Sequence, residues 1–210
     1  MTFDYKKEYK EYYLPKNKPV LVSIPTMNYI AINGHGDPND EKGEYKDALS
    51  LLYSIAFTLK MSYKTDYHIE GYFSYVVPPL EGLWWQNNSN TIDYQHKEDF
   101  NWISMIRLPD FITKKDVDWA ITTANSKKQK SHSQVYFFTL EEGLCVQCMH
   151  RGNFDDEPAT LELIHSYIDN NDLLTDISES RRHHEIYLSD PRKCKAENIK
   201  TVLRIPVRQK

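Results

Sequence analysis

Apolar residues recur along the chain at two spacings, and these spacings predict its elements. Alternating or continuous apolar runs predict strands at 19–25, 28–36, 70–77, 101–108, 134–140, 143–152, 183–188 and 201–207. Helical spacing, by contrast, predicts two amphipathic helices on Ala48, Leu51, Leu52, Ile55 and Leu59, and on Leu161, Ile164, His165 and Ile168. A third helix is predicted over 113–127, where Thr113 is a suitable N-cap residue.

Short matches between distant segments indicate an internal repeat. "YVVPP" at 75–79 resembles "YLSDP" at 187–191 with a separation of 112, and "MIRLP" at 105–109 resembles "VLRIP" at 202–206 with a separation of 97. "HGDPND" at 35–40 resembles "RGNFDD", 116 residues later. The matches keep the same order in both halves, which favours a duplication.

The repeat predicts an α+β fold built from two pseudo-symmetric β-α-β-β units within one domain, 1–210. Half one spans about 19–110, the connecting helix about 113–127, and half two about 133–208. The separation of 112 aligns Phe73 with Glu185. The separation between matching segments falls from 112 to 97 at the last strand of each half. Half one is therefore predicted to carry fifteen extra residues in a loop within 80–100.

Charge and cysteine content narrow the classes of protein. The net charge of −4 shows no basic bias, so we expect no direct nucleic-acid binding. The chain has neither an apolar leader nor an apolar run long enough to cross a membrane, which predicts no membrane partner. Three Cys argue against a disulfide framework and for a cytoplasmic protein.

Metal and cofactor motifs are weak in this sequence. Cys145 and Cys148 in "CVQC" would point to opposite faces of a strand and lack a second ligand pair, so they are interpreted as core thiols. "NGHG" at 33–36 lacks the spacing of a dinucleotide fingerprint. We therefore predict no metal and no cofactor.

A charged residue interrupts the predicted strand "HHEIYLS". Alternation places His183, Glu185 and Tyr187 on one face of this strand. A carboxylate in an apolar, aromatic cleft would be suited to acid–base chemistry. The alternative is a structural glutamate that hydrogen-bonds to a neighbouring strand or pairs with Arg181 or Arg204.

Four segments resemble the GyrI-like small-molecule-binding family over roughly 19–208: "YIAINGHGDPND", "YVVPPLEGLWW", "HHEIYLSDPRK" and "KTVLRIPV". The resemblance implies two β-α-β-β units with a central ligand cleft where they meet, as in multidrug-sensor domains. It also implies a functional glutamate at Glu185. In drug-sensing members this acid meets cationic, aromatic ligands.

The "EGLWW" region is similar to a stand-alone branch that hydrolyses the cyclopropane ring of duocarmycin- and yatakemycin-type toxins. Only about 18 residues precede the first predicted strand, which are too few for a helix-turn-helix. A non-catalytic binder or sensor of aromatic, often cationic drugs is the alternative function. A protein-binding module is a third, with no identified partner.

The candidate site follows from this resemblance and from the aromatic content of 15 Tyr and 4 Trp. The expected ligand is a hydrophobic, aromatic small molecule. Glu185 and Tyr187 are the predicted catalytic residues, with Tyr75 or Tyr187 as the donor to a developing oxyanion. His183 could tune the charge of Glu185. The predicted substrate-binding residues are Trp84, Trp85, Tyr72, Tyr75, Phe138 and His183, with Tyr136 as a further wall candidate.

Overall fold

The α+β fold is confirmed in the computed structural model, which describes residues 2–87, 92–127 and 131–210. Within these residues nine strands form one sheet: β1 (Val20–Ile24), β2 (Met27–His35), β3 (Leu80–Trp85), β4 (Asn101–Arg107), β5 (Tyr136–Leu140), β6 (Gly143–Arg151), β7 (Leu173–Thr175), β8 (His183–Tyr187) and β9 (Lys200–Gln209). The helices are α1 (Tyr5–Glu8), α2 (Lys10–Tyr13), α3 (Tyr45–Lys60), α4 (Lys114–Lys127) and α5 (Glu157–Asp169). No helix in these ranges is long and apolar enough to span a membrane.

The strand order is symmetric about the centre of the sheet. It runs β1-β6-β9-β8-β3-β4-β2-β5, and the additional strand β7 pairs with β9. β1 precedes the first unit along the chain but pairs with β6 of the second, while β5 precedes the second unit but pairs with β2 of the first. The two units therefore exchange the strands that precede them, β1 and β5, and share one sheet.

Each face of the sheet is covered by different elements. Helices α3 and α5 pack on one face, here called the helix face, where Leu52, Ile55 and Ile164 are fully buried. The segment 3–13, which carries α1 and α2, packs on the other face, and the Tyr13 hydroxyl donates to Glu81 over 3.3 Å. The central strands are therefore buried on both sides.

The strand predicted at 70–77 is wrong. This segment makes only a single bridge, between Tyr75 and Phe3, and the third strand of half one is β3. Gly71 has a φ of 72°, and prolines 78 and 79 follow, so the backbone cannot continue as a paired strand there. Tyr72, Phe73 and Tyr75 instead pack against Phe111.

The equivalence of Phe73 and Glu185 is wrong for the same reason. Phe73 lies outside the sheet and is 42% exposed. Gly36 follows β2 and Gly152 follows β6, and both glycines have a positive φ. They therefore mark equivalent points in the two units. In half one, Gly34 lies two residues before Gly36 and pairs with Trp102, which in turn pairs with Trp84. In half two, His150 lies two residues before Gly152 and pairs with Thr201, which in turn pairs with Tyr187.

Trp84 and Tyr187 are consequently equivalent, and so are Gly82 and Glu185 two residues earlier. Gly82 and Glu185 also face each other across the central pair of strands. The pseudo-two-fold axis therefore passes through this pair.

The fifteen-residue excess predicted within 80–100 is also wrong. The β3–β4 connection spans 86–100 and the β8–β9 connection spans 188–199, so the two have similar lengths. Trp84 and Trp85 lie on β3 and not in the loop. Residues 88–91 of the predicted loop lie outside the described residues.

Candidate functional site

Strand β8 separates two buried polar clusters, one on each face of the sheet. His183, Glu185 and Tyr187 lie on the helix face, and His184 lies on the opposite face. Glu185 is only 6% exposed. Because a buried charge is costly without partners, the contacts of Glu185 decide how it can be used.

Two neighbours on the same strand hold the Glu185 carboxylate. The Tyr187 hydroxyl donates to Oε2 over 2.8 Å, and His183 Nε2 lies 3.1 Å from Oε1. Trp84 Nε1 donates to the Tyr187 oxygen over 2.7 Å. This chain of hydrogen bonds fixes the carboxylate, the tyrosine and the indole relative to one another.

Gly82 makes room for the chain of hydrogen bonds. A Cβ at this position would lie 2.6 Å from Trp84 Nε1 and 3.1 Å from the Tyr187 oxygen. No side chain larger than hydrogen fits there without displacing one of them. The glycine opposite Glu185 is thus a steric requirement of the site.

A second glutamate, Glu157 at the start of α5, lies beside Glu185. It is 1% exposed, and Tyr94 donates to its Oε2 over 3.2 Å. Burial and then the charge of Glu185 raise the pKa of Glu157 well above its ordinary value. Two carboxyl groups in contact are stable only if one carries a proton, so Glu157 holds a proton while Glu185 accepts hydrogen bonds.

An apolar cavity of about 330 Å³ adjoins this pair. Its walls come from β3, the β3–β4 connection, α5 and β8, and they include Trp84, Trp85, Tyr94, Leu161, His165 and His183. Trp84 lines the cavity and also contacts Tyr187. His183 lines the cavity and also contacts Glu185. The carboxylates therefore lie directly behind the cavity wall.

His183 has one nitrogen without a partner. Since a carboxylate only accepts, the Nε2–H of His183 donates to Glu185 and leaves a lone pair on Nδ1. Nδ1 is buried and has no partner among the described protein residues. A buried nitrogen without a partner costs about 1–3 kcal/mol, which marks this atom as one that a ligand or water satisfies.

Three predicted substrate-binding residues lie away from the cavity. Tyr72 and Tyr75 pack against Phe111, and the Tyr72 hydroxyl donates to the carbonyl of Lys60 over 2.6 Å. Phe138 and the further wall candidate Tyr136 lie on β5, at the edge of the sheet, where Phe138 packs near Tyr29. Of the predicted wall residues, Trp84, Trp85 and His183 line the cavity.

One form of the structural alternative for Glu185 was a pairing with Arg181 or Arg204. Arg204 instead lies on the opposite face, where its Nη1 donates to Glu142 Oε2 over 2.8 Å. Arg181 pairs with Asp176 and donates to the carbonyl of Glu142. Glu185 is therefore held by His183 and Tyr187, and neither arginine pairs with it.

The cysteines and a metal site were the remaining candidates for chemistry. Cys145 and Cys148 are buried in separate apolar clusters on opposite faces, and burial raises the pKa of the Cys148 thiol to about 11. No group of three potential metal ligands occurs in the described ranges. The candidate chemistry therefore rests on the acidic pair and the cavity.

Sequence reasoning missed Glu157 and Tyr94. Glu157 begins a helix just before Pro158, where a glutamate is ordinarily explained by the helix dipole. Tyr94 lies in a polar connection without periodicity. Packing of α5 against β6 and β9 brings Glu157 to Glu185, and the β3–β4 connection brings Tyr94 to Glu157, so no local signal could have found them.

The symmetric sheet, the two covering helices and the aromatic-lined cavity at the junction of the units define a duplicated small-molecule-binding domain. The chain belongs to the GyrI-like small molecule binding domain family, whose model matches residues 17–208. Among curated proteins none matches the chain significantly.

Solved structures provide two near relatives and one distant one. The chain is 43% identical to an uncharacterized conserved protein from Listeria innocua, with a TM-score of 0.92, covering 99% of this chain and 100% of that one. It is 41% identical to a hydrolase from Listeria innocua, with a TM-score of 0.88 and the same coverage. The C-terminal domain of EcmrR shares the fold at 11% identity, with a TM-score of 0.57 and coverage of 92% and 98%.

Proposed function

We propose that this protein is a hydrolase that opens the cyclopropane ring of duocarmycin- and yatakemycin-type genotoxins by adding water, and so protects the cell from them. The observation that carries the proposal is the buried Glu185 carboxylate, held by His183 and Tyr187 directly behind an aromatic cavity. Its membership of a small-molecule-binding family and its 41% identity to a hydrolase support the proposal.

The substrate chemistry fits the groups present. In these toxins a strained ring is conjugated to a dienone, so water attacks the ring carbon while the dienone becomes a phenolate. Glu185 supplies the basicity that activates this water. Trp84 and Trp85 give the cavity flat apolar walls that suit an indole-like ligand.

The proposal assigns the developing phenolate to a donor other than the two tyrosines suggested by the sequence. The Tyr187 proton is committed to Glu185, and Tyr75 lies in the Phe111 cluster. Tyr94 and His165 line the cavity and carry hydroxyl and imidazole groups. The Tyr94 hydroxyl already donates to Glu157, so the proposal assigns the phenolate oxygen to His165.

Non-catalytic binding or sensing of aromatic, often cationic drugs is the second candidate function. Two adjacent carboxyl groups beside tryptophans favour it, because a desolvated cation gains from both. Against it, Glu185 already accepts two hydrogen bonds and Glu157 holds a proton, so the site carries a single, largely satisfied negative charge. A neutral, flat electrophile suits this arrangement better.

Glu185→Gln tests the proposal because it keeps the shape of the side chain but removes its charge and basicity. We expect turnover of a cyclopropane toxin, measured as product that has gained one water by mass, to fall by ~10²–10⁴-fold. The affinity for the neutral ring-opened product should change little. Glu179→Gln, at an exposed turn, is the matched control and should retain wild-type turnover.

The two candidate functions predict different results for this variant. A binder of cations shows no hydrolysis in either form and loses cationic ligands selectively in Glu185→Gln. Wild-type turnover that persists unchanged in Glu185→Gln would refute the role of the glutamate.

A further inference from the structure

His183 stands between Glu185 and the cavity. It is 2% exposed and lines the cavity, whereas Glu185 lies behind it on the same strand. A water molecule positioned against a ligand in the cavity therefore meets the imidazole before it meets the carboxylate. This order matters because a general base must be within hydrogen-bond reach of the proton that it removes.

The hydrogen bonding of the imidazole determines which of its atoms can act. The carboxylate fixes the proton on Nε2, because the oxygen 3.1 Å away can only accept. The Nδ1 lone pair is buried and unpartnered among the described residues. An imidazole oriented by a carboxylate, with its other nitrogen free to accept, is the arrangement of a general base supported by an acid.

We propose that His183 Nδ1 is the atom that removes the proton from the attacking water, and that Glu185 acts through His183 as a positioning residue. This inference rests on the proposed function and deepens it. It changes the expected role of His183 from substrate binding to catalysis, and that of Glu185 from the base itself to the group that orients the base.

The proton and electron changes of this step balance. His183 Nδ1 takes one proton from water as the water oxygen bonds to the ring carbon. The cyclopropane carbon–carbon bond breaks, and its electron pair moves through the dienone to the carbonyl oxygen. The resulting phenolate takes a proton from solvent and the imidazolium returns one, so the net change is the addition of one water.

The groups around His183 are arranged for a transient imidazolium. Glu185 accepts its Nε2 proton, and the proton on Glu157 keeps a second full negative charge away. Tyr94, Glu162 and His165 face the same cavity from the β3–β4 connection and from α5. Arg182, which precedes His183 in the chain, lies over the Trp85 ring at 4.7 Å.

His183→Gln separates the two roles, because a glutamine amide can replace Nε2 as the donor to Glu185 but supplies no base at the position of Nδ1. We expect its kcat on a spirocyclopropyl cyclohexadienone of the toxin type to fall by ~10²–10⁴-fold. Binding of the ring-opened phenol, followed by tryptophan fluorescence, should stay within about threefold because the cavity walls are kept. His68→Gln, at an exposed histidine, is the control and should match wild type.

The residual turnover of Glu185→Gln is a second test that does not depend on folding of the His183 variant. A reduced kcat should survive, because the His183 imidazole that removes the proton is still present. A variant without any residual turnover would show that Glu185 itself is the base.

The outcomes separate this inference from the proposed function. A wild-type protein that adds no water overturns both. A wild-type protein that turns over, with His183→Gln within about threefold of it, overturns the role of His183 and leaves the hydrolase standing. A large loss of kcat in His183→Gln, with unchanged binding of the phenol, supports both.

Discussion

At the scale of single residues, the site depends on one glycine as much as on its glutamates. Gly82 leaves the space in which Trp84 and Tyr187 meet, and Tyr187 in turn holds Glu185. The carboxylate is thus oriented by a residue that has no side chain. A sequence scan for reactive groups passes over such a position.

Gly82→Ala should therefore disturb the site, although residue 82 carries no reactive group. The added Cβ must displace Trp84 Nε1 or the Tyr187 hydroxyl, and overpacking of this kind costs about 1–3 kcal/mol. We expect a lower melting temperature together with a loss of turnover.

Trp84→Phe is the companion variant, since it removes the indole donor without adding a Cβ. If Gly82→Ala behaves like wild type in melting and turnover, the proposed steric role of the glycine is wrong.

At the scale of elements, β8 carries the site on one face and a structural ion network on the other. His184 lies between two carboxylates, with Nδ1 2.9 Å from Glu142 and Nε2 2.9 Å from Glu81. Burial would lower the pKa of His184, but the charge of Glu142 and hydrogen bonds to both acids raise it to about 9. Burial also opposes ionisation of Glu142, yet Arg204 and His184 lower the pKa of that carboxyl to about 2.

This network predicts how stability changes with pH. The folded protein holds the His184 proton more tightly than the unfolded chain, whose histidine has the ordinary pKa of 6.5. The stabilisation is complete below that value and is lost as pH rises toward 9, by about 3 kcal/mol in all. Denaturant unfolding across this range measures it.

His184→Gln is the variant that assigns the pH dependence to the network. It should flatten the dependence and destabilise the protein at neutral pH, by about 3–5 kcal/mol, because the buried Glu81 loses its cation and Glu142 keeps only Arg204. His68→Gln should keep the wild-type dependence. An equally steep loss of stability in His184→Gln would place its origin elsewhere.

Elements with strong periodicity could be predicted from sequence, and the others could not. The repeated apolar spacing located α3, α5 and most strands, because burial on a regular element imposes that spacing. Segment 70–77 has the alternation of a strand but packs as an aromatic cluster, a choice made by tertiary contacts. Glu185 stood out as a charge within an apolar strand, whereas Glu157 becomes its neighbour only through packing.

At the scale of the whole molecule, exchange of β1 and β5 makes the two units interdependent. Fragments 1–127 and 131–210 would each lack the outer strand partner supplied by the other, as well as half of the central β3–β8 pair. We expect each fragment alone to show no cooperative thermal transition. An equimolar mixture should recover one, followed by circular dichroism.

The mixture also tests the functional site, because Glu185 and Trp84 come from different fragments. Tryptophan emission of the mixture should approach that of the intact chain. A fragment that melts cooperatively by itself would mean that one unit is an autonomous domain.

The position of Gly82 and Glu185 on the pseudo-two-fold axis explains what a single continuous chain makes possible. In a homodimer of half-length chains, identical residues would meet on the axis, so a glutamate there would confront its own copy and a glycine would face another glycine. Neither arrangement gives one acid with an empty place beside it. Joining both copies in one polypeptide frees the two positions to differ, and this broken symmetry lets a symmetric scaffold hold a one-sided reactive centre.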